Sequence, residues 1–138
     1  MSAAEYLNPP GLAPAQGDYS QAGTGNPNTL VFVAGQLSVG TNGDVVGVGD
    51  FAAQFEQIFA NLGALLKSLG LDFSSVVKFT TFLTDENDLD AFMKLRAEAF
   101  PKMFPTADFP PNTLLIVKRL VKPEFLLEVE AVVTRAPA

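Results

Sequence analysis

The chain of 138 residues contains no cysteine and no histidine. Without cysteine there is no disulfide, no thiolate nucleophile and no cysteine metal site. Without histidine the Ser-His-Asp triad, the Cys-His dyad and nearly every zinc or non-haem iron constellation are excluded. Any chemistry must rest on carboxylates, hydroxyls, Lys, Arg, Tyr, amides and backbone groups. Charge is scarce too: 17% of residues are charged, 9 basic against 15 acidic, for a net charge of −6. An acidic chain without a basic cluster suits a phosphate backbone poorly, so nucleic acid is not an expected partner. The opening MSAAEYLNPPGLAPAQG has neither the basic start nor the apolar stretch of a signal peptide. No run approaches the length of a membrane span, so a soluble, cytoplasmic protein without a membrane partner is expected.

What is plentiful is apolar surface, with 48% of residues hydrophobic. That suffices for one domain, residues 1–138, with a real core. Such thin solvation implies that some apolar surface is covered by another subunit. Residues 1–28, rich in Pro, Gly, Ala, Asn and Gln, read as an irregular N-terminal arm. Tyr19, within it, either anchors the arm to the body or is delivered to a cleft.

LVFVAGQLSV (30–39) reads as a buried strand, where Gly35 marks a bulge or a close backbone approach. Asn42-Gly43 predicts a hairpin with DVVGV as the returning strand. From Asp50 the period changes: Phe51, Phe55, Ile58, Phe59, Leu62, Leu65, Leu66 and Leu69 define an amphipathic helix ending near Gly70. SSVVKFTTFLT (74–84) is a strand by its β-branched content. DENDLDAFMKLRAEAFPKMF opens with capping residues, and Leu89, Phe92, Met93 and Phe100 mark a second helical stripe. Arg96 falls on that stripe. It reads first as a snorkelling side chain, and alternatively as a buried ion pair or a ligand contact.

The prolines of FPPNTLLIV (109–117) deliver the chain into a strand, with Asn112 and Thr113 at its entry. Asn112 either contacts a ligand or caps the turn, and the two roles are compatible. NTLLIVKRL and FLLEVEAVV then read as two strands joined by VKPE. The resulting order is hairpin, helix, strand, helix, hairpin. It implies an α+β fold with both helices on one face of a mainly antiparallel sheet.

In the last strand Leu127, Val129, Ala131 and Val133 share the face toward the helices, leaving Glu128, Glu130 and Val132 on the other. The two carboxylates are a solvated face, an acid/base pair or a weak oxygen-ligand metal site. The last lacks the further ligands a divalent ion wants. LLIV at 114–117 is apolar on both faces, so its side away from the helices also needs cover. Another copy of the chain is the economical source, which would put Glu128 in or beside an intersubunit cleft.

DYSQA, VFVAGQ with the following NGDVVG, QFEQIFANLGALLKSLG, VVKFTTFLTD and FPPNTLLIVKRLVKPEFLLEVEAVV, in that order and spacing, resemble the Rid family. Its members are also called YjgF-type proteins, reactive intermediate deaminases or L-PSP endoribonuclease-like proteins. The likeness runs from about residue 17 to residue 134. It implies a chorismate-mutase-like α+β protomer, assembled as a homotrimer with a central barrel and a ligand cleft between each pair of subunits. It also implies hydrolysis of enamines and imines, releasing ammonia and a keto acid, with no cofactor and no metal.

Residue by residue the resemblance is uneven. Tyr19 matches the tyrosine of the family's arm, although the usual Gly-Pro before it reads Gly17-Asp18. Gly35 matches the glycine of the first strand, whose N–H would face the cleft, while Ala34 stands where serine is common. Glu128 matches the glutamate proposed to orient the attacking water. Asn112 stands where deaminating members carry the arginine that grips the substrate carboxylate, and Leu114 where a cysteine or hydroxyl is usual.

The expectation is therefore a Rid-type enzyme acting on a small molecule other than the usual 2-imino acids. Glu128 would be catalytic, and Tyr19, Gly35, Asn112 and Thr113 would contact substrate. Arg96 is a conceivable substitute for the missing arginine. A trimeric metabolite-binding protein without turnover is the alternative, and endoribonuclease activity the weakest reading.

Overall fold

The computed structural model describes residues 4–15 and 17–135. Near the start, β1 (Glu5–Leu7) and β2 (Ala22–Thr24) pair antiparallel, so part of the arm is ordered as a small ladder. The body comprises β3 (Leu30–Gln36), α1 (Phe51–Ser68), β4 (Val76–Leu83), α2 (Leu89–Met103), β5 (Asn112–Ile116) and β6 (Leu127–Thr134).

Helix α1 begins where the sequence places it. The Asp50 side chain accepts the Ala53 N–H at 3.0 Å, satisfying one of the donors that a helix start leaves free. It ends before Gly70, whose φ of 72° is open to glycine at little cost. Strand β4 starts two residues later than its sequence signal, because Phe73–Ser75 form a 3-10 turn capped by Asp72.

The body strands form a four-stranded sheet in the order β3-β6-β4-β5. β6 is antiparallel to both β3 and β4, whereas β5 runs parallel to β4. The sheet is therefore mixed, and the expected C-terminal hairpin is not formed. β4 lies between β5 and β6, and the loop after β5 passes the end of β4 before the chain returns. The expected N-terminal hairpin is likewise reduced to one isolated bridge, Val39 to Val45. Its turn does form, with Gly43 at φ 86°, but Gly47 and Gly49 also take positive φ and turn the chain out of the extended path.

The central barrel implied by the resemblance is overturned. Four strands form an open sheet whose edges, β3 and β5, are separated by β6 and β4 and do not bond to each other. Among the described residues no closed barrel exists.

Both helices pack on one face. The β6 side chains Leu127, Val129, Ala131 and Val133 are buried there, as the alternation implies, with Val33, Phe79 and Leu83 beside them. Phenylalanine dominates the helix–sheet contact. The Phe59 ring centroid lies 5.9 Å from that of Phe79 and 5.8 Å from that of Phe100, both edge-on, the arrangement favoured by the ring quadrupole. The opposite face stays open, with Phe32 76% and Leu115 41% exposed. No helix among the described residues is long and apolar enough to cross a membrane.

One buried polar side chain ties the loops to this core. Gln54 on α1 is fully buried. Its amide donates to Gly47 O at 3.0 Å and Glu124 O at 2.9 Å, and its Oε1 accepts from Leu126 N at 2.9 Å. Gln54→Leu keeps the volume and strands two backbone groups, Glu124 O and Leu126 N, while Gly47 O keeps the Asp50 N–H. The expected loss is about 2–4 kcal/mol of stability, since each unsatisfied buried group costs roughly 1–3 kcal/mol. Urea unfolding measures it, and faster amide exchange at Leu126 would locate the damage.

Candidate functional site

The outward residues of the sheet line up in rows set by its register. Glu130, Thr80 and Thr113 form one row, and Glu128, Phe82 and Leu115 form the next. Glu128 therefore stands on the open face, as the alternation of β6 implies.

Gly35 is its neighbour. The pairing of β3 with β6 shifts between Val33 and Gln36, and in this bulge the Glu128 side chain lies directly over Gly35. A Cβ at position 35 would overlap the Glu128 carboxylate and come within 2.6 Å of its Cδ. Glycine is thus required by close approach as well as by the bulge. Partial burial, and secondarily the charge of Glu130, push the Glu128 carboxyl above the usual range.

Asn112 turns the other way. It is the parallel partner of Phe79, so its side chain leaves the sheet toward the helices at the β5 edge. There the hydroxyl of buried Thr81 donates to Asn112 Oδ1 at 2.7 Å. The acceptor of the amide is thereby engaged, which leaves its two N–H donors for other partners.

Tyr19, Asn112 and Thr113 line one depression of about 440 Å³, together with Lys78, Val132 and arm residues 20–23. Two contacts hold the arm on this entrance and one braces it internally. Ser20 N donates to Pro110 O at 3.4 Å, Gln21 N donates to the Asn8 side chain at 3.0 Å, and Gly23 packs against Pro111.

Arg96 does not snorkel. It is 5% exposed, covered where the Gly17–Tyr19 turn of the arm closes over α2. Its guanidinium lies 5.4 Å from the Phe92 ring centroid and donates to Met93 Sδ at 3.2 Å. Its Nε has no hydrogen-bond partner among the described residues.

The predicted residues thus separate. Tyr19, Asn112 and Thr113 share the depression, Gly35 and Glu128 touch each other on the open face, and Arg96 lies beneath the arm and lines neither place. Two residues were missed by sequence reasoning. The alternation of β4 could have put Lys78 outward and Thr81 inward, but only the parallel register of β4 and β5 brings them to Asn112. A larger groove, about 1380 Å³, runs between α1, α2 and β1, and no predicted site residue lines it. Among the described residues no group of three or more acidic side chains is placed to hold a metal ion.

Comparison with known proteins places this geometry. A family model described as Endoribonuclease L-PSP matches residues 11–135. The 3-aminoacrylate deaminase RutC of Acinetobacter baylyi is 31% identical over 128 residues, covering 93% of this chain and 95% of that protein. A human 2-iminobutanoate/2-iminopropanoate deaminase is 30% identical over 123 residues, covering 89% and 84%. Among solved structures, the Rid protein YyfB from Yersinia pestis, a protein of unknown function, superposes with a TM-score of 0.85. It has 27% identity over 96% of this chain and 99% of that one.

The raised Glu128 carboxyl makes a prediction whose sign is definite. The folded chain holds this proton more tightly than the unfolded chain, so Glu128 favours the fold while protonated. That contribution is lost as pH rises through the folded-state value. Glu128→Gln is expected to melt at a higher temperature than the wild type at pH 7.5, with the difference closing near pH ~4. Calorimetric melts at the two pH values check it, and a lower melting temperature for the variant at pH 7.5 would contradict it.

Proposed function

We propose that this chain, which belongs to the endoribonuclease L-PSP (Rid) family, hydrolyses an enamine or imine of a small molecule in clefts shared between copies of itself. The observation that carries the specificity is the Thr81–Asn112 hydrogen bond. It presents a neutral pair of N–H donors where a clamp for a substrate carboxylate would need a charged, forked donor. A carbonyl or amide oxygen of the substrate suits such donors, with Thr113 and the apolar walls reading its shape.

Glu128 acts on water. Its carboxylate takes a proton from a water molecule as the water oxygen adds to the imine carbon, and the nitrogen gains a proton. Collapse of the carbinolamine then breaks the carbon–nitrogen bond and yields ammonia and a carbonyl compound. An enamine enters by first taking a proton on carbon. A carboxylate pushed upward from its ordinary range is a better base for the first step than an unperturbed one. Tyr19 closes the pocket from the arm, and Gly35 both leaves room for Glu128 and offers its N–H.

Glu128 does not line the depression that holds Asn112, so a single copy does not bring them to one ligand. The homotrimer suggested by the resemblance would supply Glu128 or Asn112 from a neighbour, and the exposed Phe32 and Leu115 favour such cover. The same separation sustains a second reading, a trimer whose depression binds a metabolite around Asn112 without turnover. RNA cleavage is the weakest reading for a chain of net charge −6.

Freshly generated 2-iminobutanoate tests the role given to Asn112. The wild type is expected to hydrolyse it near the uncatalysed rate, and Asn112→Arg measurably faster. Each charge-assisted hydrogen bond gained is worth about 1.5–3 kcal/mol, roughly a tenfold or greater gain. Fast turnover by the wild type would show that Asn112 does not exclude 2-imino acids. Light scattering at micromolar concentration tests the assembly: three copies are expected, and a monomer would remove the shared cleft.

A further inference from the structure

Arg96 is a charged residue in a place that the hydrolytic chemistry leaves unused. It sits on the apolar stripe of α2, 5% exposed, on a helix whose other buried side chains are Phe92 and Phe100. A guanidinium there carries a desolvation cost that only partners can offset. Its immediate contacts on α2 are weak ones: a ring face 5.4 Å away and a thioether at 3.2 Å. Nε has no hydrogen-bond partner among the described residues.

What covers the group is the arm. A Cβ at Gly17 would stand 2.9 Å from the terminal Nη2, so the backbone of this turn rests directly on the guanidinium. The turn is tight, with Tyr19 N donating to Gly17 O at 2.9 Å. Burial lowers the basicity of Arg96, while the negative charge of Asp18, and next the phenol of Tyr19, act to restore it. One step further along the chain, Ser20 is bonded to the proline corner and Tyr19 lines the depression beside Asn112.

We propose that Arg96 is a positioning residue, a buried cationic seat on which the Gly17–Tyr19 turn is held so that Tyr19 stands over the Asn112 depression. The guanidinium does not touch substrate. It fixes the arm through the backbone at Gly17, where a side chain would collide with it, and through the field it shares with Asp18. This gives the arm's loosely patterned sequence one docked position. It also accounts for a charged side chain buried beside Phe92 and Met93 on the apolar stripe of α2. The proposal rests on Tyr19 belonging to the site, but the seat itself can be tested without a substrate.

The chain has two tyrosines and no tryptophan, so full-length protein grown with 3-fluorotyrosine gives two fluorine resonances, assigned with Tyr6→Phe. Tyr6, on β1 of the arm, is half-buried and donates to Val76 O of β4 at 2.6 Å, so its resonance reports whether the β1–β2 ladder stays seated on the body. In Arg96→Met the Tyr19 resonance is expected to move toward the position of free 3-fluorotyrosine while Tyr6 stays put. Arg96→Lys, which keeps the charge but not the fork, is expected to recover part of the shift.

Should Arg96→Met disturb both resonances, Gly17→Val decides, because it lifts the turn from the arm side and leaves α2 intact. It is expected to displace Tyr19 alone. A Tyr19 resonance unmoved in Arg96→Met, or unmoved in Gly17→Val, overturns the seat. Displacement of Tyr19 in a protein that turns over no imine leaves the seat standing and counts only against the hydrolytic reading.

Discussion

The molecule is organised by the alternation of β6. This strand is hydrogen-bonded on both sides, and every second side chain from Leu127 to Val133 enters the phenylalanine layer beneath α1 and α2. Burying four apolar side chains in one strand pins the register, because a slip of one residue would drive Glu128 and Glu130 into that layer. The same constraint fixes what stands on the far face. Glu128 is on the open side because Leu127 and Val129 are inside, and Gly35 is opposite it because β3 is registered on β6. The placement of Glu128 and Gly35 thus follows from core packing.

Local signals in the sequence were strong wherever the neighbours along the chain set the structure. Helix α1 could be read from its stripe and from Asp50 and Gly70, and the inward set of β6 from its period of two. Pairing was less legible. Nothing in NTLLIV says that it will lie parallel to β4, and a short connection to the last strand suggested a hairpin instead. The first hairpin misled for a different reason. Asn42-Gly43 makes its turn, but two later glycines at positive φ carry the chain away before a ladder can grow. Turn chemistry was legible there; strand continuation was not.

The site shows the same division. Glu128 and Gly35 were placed by alternation and by the meaning of a glycine within a strand, and they do touch. Asn112 was placed on its strand, but its direction was not. The parallel register with β4 aims it at Thr81 and away from the face that carries Glu128. Arg96 was misjudged because snorkelling assumes water at the end of the side chain. An arm nearly eighty residues earlier in the chain occupies that end instead.

Two groups in this fold are electrostatically unfavourable where they stand: a carboxyl held above its usual range and a buried guanidinium whose Nε has no partner among the described residues. A core optimised for stability alone would carry neither, since glutamine at 128 and an apolar side chain at 96 would relieve both. Perturbed titratable groups of this kind concentrate at functional sites, and here both adjoin the regions that the family likeness marks. The two differ in what relieves them. The Glu128 carboxyl is eased by protonation. The Arg96 guanidinium gives up water where the arm folds over it, and the negative charge of Asp18 on that arm offsets part of the loss. The chain thus carries two charges of opposite sign in separate places, one on the open face of the sheet and one on α2 beneath the arm.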